Sequence, residues 1–180
     1  HPLRIAFIGA FIKEKGIRIF LEAAKRMKGK ARFLLFGYAG NGDWKKIKKI
    51  YQGCYELCGA YDYFEIIQVM KQIDVLVIPS IWEETYGLIA QEGLAAKKIL
   101  VVSDRGAFPE RIKNGENGFI VPAGDVQALT NILTHITNHF EKISKQMNYQ
   151  LSLHDISVDA RKHETLYKKL LSTKKAYHDF

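Results

Sequence analysis

Only two cysteines and four prolines occur in these 180 residues. Cys54 and Cys58 stand close together with no second pair to complete a metal site, which makes them idle thiols of a reducing compartment. No apolar run approaches the length that spans a bilayer, and no charged, apolar and small-residue succession resembles a signal peptide. No D-x-D pair is present, so nothing points to a divalent ion held by carboxylates. His135 and His139 are four apart on an expected helix but have no third ligand nearby, so they read as a solvated helix end rather than a metal site. Internal repeats and low-complexity linkers are absent too, and residues 1–180 are expected to form a single domain.

What is present fits a globular chain: 47% apolar and 26% charged residues, enough for a real core. A net charge of +8 raises nucleic acid, an anionic membrane or an anionic substrate as partners. The lysines scatter over expected helix faces and turns among 19 acids, which favours a solvated surface over a nucleic-acid footprint. The chain opens at His1-Pro2 without a methionine, as expected of a piece of a longer protein.

Strand and helix patterns alternate six times. Apolar runs at Arg4–Ile8, Ala31–Phe36, Tyr55–Cys58, Val75–Ile78, Ile99–Val102 and Gly118–Val121 read as strands. Helical spacing covers Lys15–Met27, Trp44–Tyr51, Phe64–Ile73 (Ile66, Ile67, Met70 and Ile73 inward), a segment from about Tyr86, Phe108–Lys113, and a helix capped by Asp125. Glu141–Leu153 is expected to continue as helix, and Val158–Leu171 to form a last amphipathic one before a frayed end. The fold class that follows is α/β: a doubly wound parallel six-stranded sheet, Rossmann-like, in the order 3-2-1-4-5-6.

The stretch from Val75 to Ala96 is the expected functional centre. Four apolar residues stopped by Pro79 make a strand buried on both faces, and a polar turn leads into a helix rich in Leu, Ile and Ala. Such a strand ends at the ligand edge of a parallel sheet, where the following helix directs its free N–H groups. An anionic centre would sit over the amides of Tyr86, Gly87 and Leu88, with Gly87 allowing close approach. Glu84 and Glu92 bracket this helix, their backbones roughly 12 Å apart along a helical path, which suits the hydroxyl groups of an extended ligand better than one small ion. Glu92 follows Leu88 by four and Ile89 by three, so it is expected on the inward stripe, where an unpaired carboxylate would cost several kcal/mol. The plainer alternatives are a helix-dipole charge at Glu84 and an ion pair at Glu92.

The run P-S-I-W-E-E-T-Y-G-L-I-A-Q-E-G-L-A resembles the signature of two glutamates with seven residues between them in retaining glycosyltransferases of family 4. It lies in their C-terminal, nucleotide-sugar-binding domain, one half of the two-domain GT-B architecture. Thr85, Tyr86 and Gly93 replace the usual Gly, Phe and Ala of that signature. G-A-F-I-K-E-K-G resembles the family's first loop, opening at Gly9 and bringing Lys15 to the donor's diphosphate, although the usual Arg is Ala10 here. Arg105, Arg111 and Lys13 are the basic residues considered as substitutes. F-G-Y-A-G-N-G is similar to its Gly-rich loop, and L-C-G-A-Y-D-Y to the loop beside the nucleobase, which implicates Tyr61 and leaves Tyr63 to packing. The segment from Arg105 to Asp125 is similar to a scaffold block, with Glu110 and Asn117 structural. The resemblance covers residues 3–140, with residues 141–172 a helical extension.

The resemblance implies transfer of a hexose from a nucleoside-diphosphate sugar of UDP or GDP type to a glycan, lipid or other acceptor. The reaction would proceed with retention and without a metal or separate cofactor. Glu84 and Lys15 are the catalytic candidates, Glu84 beside the sugar and Lys15 on the leaving group's charge. Gly9, Lys15, Tyr61, Glu84, Tyr86, Gly87, Leu88 and Glu92 are the donor-binding candidates. The implied partners are the nucleotide sugar and an N-terminal acceptor-binding domain outside this chain, with peripheral membrane contact left open and nucleic acid not expected. The implied location is the cytoplasm, or the inner face of its membrane, and the isolated chain is expected to be inactive. Two other readings stand beside this: a GT-B epimerase or phosphorylase, and a basic module binding nucleic acid or lipid.

Overall fold

Val75–Ile78 (β4) is buried along its whole length in the computed structural model, which describes residues 1–39, 44–149 and 156–176. Around it β1 (Arg4–Ile8), β2 (Arg32–Phe36), β3 (Glu56–Gly59), β5 (Ile99–Ser103) and β6 (Phe119–Val121) form an all-parallel sheet in the order β3-β2-β1-β4-β5-β6. The middle strands are apolar throughout because helices cover both of their faces. The edge strand β3 is largely exposed, and a register irregularity against β2 between Leu35 and Phe36 carries it one residue past its expected end.

Period-two alternation sorts the strand residues to the two faces. Ile5, Phe7, Phe33, Leu35, Val75, Val77, Ile99 and Val101 join one core with α1 (Ile17–Arg26) and α6 (Val126–Gln146), through Phe20, Leu21, Leu129 and Leu133. On the other face α4 (Leu88–Ala95) lies so close to β4 and β5 that a Cβ on Gly93 would stand 2.7 Å from Leu76 Cδ2. The glycine that replaces the expected alanine therefore matches a tight helix-to-sheet approach.

Several boundaries differ from expectation for local reasons. α1 begins at Ile17 rather than Lys15, because Gly16 caps it in the left-handed region at φ 75°. α4 likewise begins after Gly87, at φ 69°, two residues later than Tyr86. Before α3 (Ile66–Lys71) a 3₁₀ turn over Tyr63–Glu65 is held by an Asp62–Glu65 capping box. Met70 and Ile73 are buried as expected and Ile66 is half-buried, but Val69 takes the inward place expected of Ile67, which is 65% exposed. α2 (Trp44–Ile50) is short, and α5 (Phe108–Arg111) stops early where Asn117 accepts from the Lys113 N–H at 2.8 Å and donates to the Arg111 carbonyl at 2.9 Å. Asp125 caps α6 by accepting from the Ala128 N–H at 2.8 Å. α6 runs on to Gln146 through a break in helical geometry at His139.

Contacts divide the chain into residues 1–150 and 151–180. The second unit contains α7 (Ile156–Ala176). Gly40 and Gly42 of the expected Gly-rich loop, residues 150–155 of the expected helical continuation and residues 177–180 of the expected frayed end lie outside the described residues. Among the described residues no helix is long and apolar enough to cross a membrane.

Candidate functional site

The carboxyl ends of β1 and β4 open on a cleft of about 440 Å³. Gly9, Lys15, Tyr61, Glu84, Tyr86, Gly87, Leu88 and Glu92 all line it, so the fold brings together every candidate site residue. Phe108, Ile89, Thr85 and Tyr63 complete much of the wall.

The floor is made by two loops that lock into each other. The loop after β1 turns at Gly16, where a Cβ would overlap the Pro79 carbonyl. Only a residue without one fits that approach at positive φ. The Glu14 carbonyl accepts the Ile81 N–H at 2.9 Å, and Ser80 Oγ lies 3.1 Å from the same oxygen. Lys15 thus sits in a turn ahead of the helix cap rather than in the first helical turn. A cation placed ahead of the cap escapes the helix-dipole penalty of the first turn. Its Nζ donates to Glu84 Oε1.

Glu84 is fixed from three sides. Ser80 is fully buried and its Oγ stands 3.1 Å from Glu84 Oε1. One hydroxyl proton cannot serve both this carboxylate and the Glu14 carbonyl at once. The Ala107 N–H donates to the Glu84 carbonyl at 2.7 Å, and the Gly106 N–H donates to Glu83 Oε2 at 2.7 Å. A Cβ on Gly106 would collide with the Glu84 backbone. Ser80, Glu83 and Gly106 were not singled out as site residues from the sequence. The pairing of a serine with a carboxylate four residues on, inside a buried turn, was the available signal.

At the start of α4 the helix-terminal amides are those of Leu88 and Ile89 with the cap residue Gly87, by position. Tyr86 lies ahead of the cap, a shift of one residue from the expected amide set. A Cβ on Gly87 would stand 2.5 Å from Phe108 Cε1. The Tyr86 ring carries the Arg111 guanidinium 3.7 Å above its centroid, and Arg111 also donates to the Tyr86 carbonyl. Arg105 is drawn to Glu83 and Asp104 at 3.4 and 3.8 Å. Neither arginine lines the cleft, nor does Lys13, so among the described residues Lys15 is its one lining Lys or Arg.

Glu92 stands on a different face of α4 from the one expected. The helix packs inward through Ala90, Gly93 and Leu94, while Leu88 is 64% exposed. Glu92 is half-buried on the cleft side, and among the described residues it has no ion pair. Burial without a partner raises its carboxyl above the usual range. Tyr61 stands near it, its phenol pushed up by burial and by the Glu92 charge. Tyr63, expected to pack, is instead 72% exposed and lines the same cleft. His135 and His139 lie outside it, with ring centroids 4.7 Å apart on α6.

Fold and cleft define an α/β domain with an open cleft at the carboxyl edge of a parallel sheet. Residues 2–139 match the model of the family described as glycosyl transferases group 1, and the chain belongs to that family. It is 28% identical over 142 residues to an uncharacterised glycosyltransferase of Methanocaldococcus jannaschii, covering 75% of this chain and 38% of that protein. The C-terminal domain of a glycosyl transferase group 1 protein, LpcC of Francisella tularensis, superposes with a TM-score of 0.69 at 25% identity, covering 81% of this chain and 80% of that one. HepE of Anabaena, solved in complex with UDP, superposes with a TM-score of 0.74 at 20% identity, covering 93% of this chain and 49% of that one. The chain spans less than half the length of the curated relatives it matches, at 36–38% of the first three.

Proposed function

We propose that this chain is the nucleotide-sugar-binding half of a retaining glycosyltransferase of family 4, transferring a hexose from a UDP or GDP sugar to a glycan, lipid or other acceptor. The observation that carries the reading is the meeting of Lys15, Glu84, Glu92 and the α4 amino terminus in one cleft. A helix terminus with a lysine suits a diphosphate. A half-buried carboxylate without a cation suits ribose hydroxyls, and Glu92 has those properties. Tyr61 beside Glu92 puts a ring where a base would follow the ribose. The UDP bound in the Anabaena neighbour makes a uracil nucleotide the first to try.

In this mechanism Lys15 and the α4 amides stabilise the charge that grows on the leaving diphosphate, an electrostatic role needing no metal. Glu84, held by Ser80 and by the Gly106–Ala107 turn, faces the donor sugar and steadies positive charge developing at its ring. The acceptor and further catalytic groups come from an N-terminal domain, so the isolated chain binds donor and turns over little. The full protein works in the cytoplasm, with a peripheral membrane contact.

Calorimetry of the chain against UDP, GDP, ADP and their sugar conjugates tests this. Selective binding of one nucleotide, lost in Lys15→Ala and Glu92→Ala, supports the reading. Binding unaffected by either substitution overturns it.

A further inference from the structure

On the β3 edge of the sheet, α2 carries four lysines in seven residues and no acid. Lys45, Lys48 and Lys49 follow the i, i+3, i+4 spacing that puts like charges side by side on one helix face, an arrangement that weakens a helix on its own. Lys45 also opposes the helix dipole from the first turn. These three lysines form one wall of a groove of about 460 Å³ whose other walls are Gln52, Gly53, Tyr55 and Leu57. The groove shares no residue with the donor cleft. Lys28 extends its cationic rim, with its Nζ 3.7 Å from where a Cβ on Gly53 would stand. The nearest carboxylate on the strand, Glu56, is already held by Arg32 through two hydrogen bonds of 2.8 and 2.7 Å.

We propose that this edge is a docking surface for an anionic phospholipid membrane, with phosphate headgroups seated among Lys45, Lys48 and Lys49. The polarity of the groove matches: a cationic wall faces the half-exposed Leu57 side chain, which meets the acyl boundary. Nucleic acid fits less well. The groove has a single aromatic ring, Tyr55, which is half-buried and packs at a tilt against Trp44 with centroids 6.0 Å apart, so it lacks a series of exposed rings for stacking bases, and the neighbouring Arg32 is committed to Glu56. The proposal rests on the peripheral membrane contact of the proposed function and gives it a place that shares no residue with the donor cleft.

Co-sedimentation of the 180-residue chain with vesicles tests it, using phosphatidylcholine alone and phosphatidylcholine mixed with phosphatidylglycerol, each at low and high salt. Binding to the anionic vesicles alone, weakened by salt, is expected. Lys45→Ala, Lys48→Ala and Lys49→Ala together should lower partition by roughly a hundredfold, about fivefold per lysine. Arg161→Ala, Lys162→Ala and Lys168→Ala remove the same charge from α7 and should leave partition nearly intact. A melting curve and a UDP titration of the α2 variant confirm that the fold and the donor site are unchanged; a Lys→Gln version replaces it if it does not fold. Absence of binding to anionic vesicles, equal losses in both triple variants, or tighter lysine-dependent binding of single-stranded RNA than of vesicles would each overturn the proposal.

Discussion

Lys15 Nζ donates to Glu84 Oε1 across the floor of the cleft, joining a turn after the first strand to a turn after the fourth. The two residues are 69 positions apart, and their side chains are 40% and 14% exposed. The cation expected on a diphosphate therefore has a carboxylate partner within the chain itself.

A competition follows. Glu84→Gln removes the charge that holds Lys15, so UDP, which has no sugar, should bind a fewfold more tightly than to the parent chain. Lys15→Ala should weaken UDP about tenfold or more, the scale of one charge-assisted hydrogen bond. Calorimetry on both variants and the double substitution checks the coupling; independent, additive effects would show that the pair does not share the ligand.

Glu92 trades stability for its place in the cleft. Its folded carboxyl titrates above the usual value, so the folded state holds the proton more strongly than the unfolded one. Stability then falls as pH rises through that window, and the charged form is a cost at neutral pH. Glu92→Gln should raise Tm at pH 7, with the gain vanishing below the ordinary carboxylate pKa, and should weaken nucleotide binding at the same time. Melting curves at several pH values read the first effect and calorimetry the second.

The pair at the opposite end of the sheet behaves in the reverse sense. Burial pushes the Asp74 carboxyl up, but the Arg4 guanidinium, at 2.6 and 3.0 Å, and the Arg4 N–H, at 2.9 Å, outweigh it and hold the value low. Its contribution is present above the unfolded pKa and lost as pH falls through the folded one. Asp74→Asn should cost about 1 kcal/mol at pH 7, given the partial exposure of both partners. Acid unfolding of the variant should lose the step that this carboxylate contributes to the parent curve.

Gly16→Ala combines positive φ with a clash against the Pro79 carbonyl. It should cost about 2–3 kcal/mol by chemical denaturation and should weaken UDP binding, because the same turn carries Lys15. A full-affinity Gly16→Ala chain would show that the interlocked loops are not needed to place the lysine.

Strand order was legible because six apolar runs alternating with helical spacing leave few arrangements open, and the sheet has the expected one. The Asp125 cap was legible for the same kind of reason: a local hydrogen bond depends on neighbours three residues away. Helix phase was legible in part. Met70 and Ile73 are buried as expected, whereas Ile67 and Leu88, expected inside, are exposed near helix starts set by a 3₁₀ turn held by Asp62 and Glu65 and by a left-handed Gly87.

The sequence by itself determined the alternation of strands and helices, the ligand edge and the residue types available there, because periodicity and turn chemistry are local properties. Tertiary structure alone decided that Ser80 and Ala107 hold Glu84, that Arg111 is taken up by Tyr86 rather than lining the cleft, and that Glu92 faces the cleft with no ion pair among the described residues. Those outcomes depend on distances between side chains far apart in the chain. Packing fixes such distances, and no spacing along the sequence encodes them.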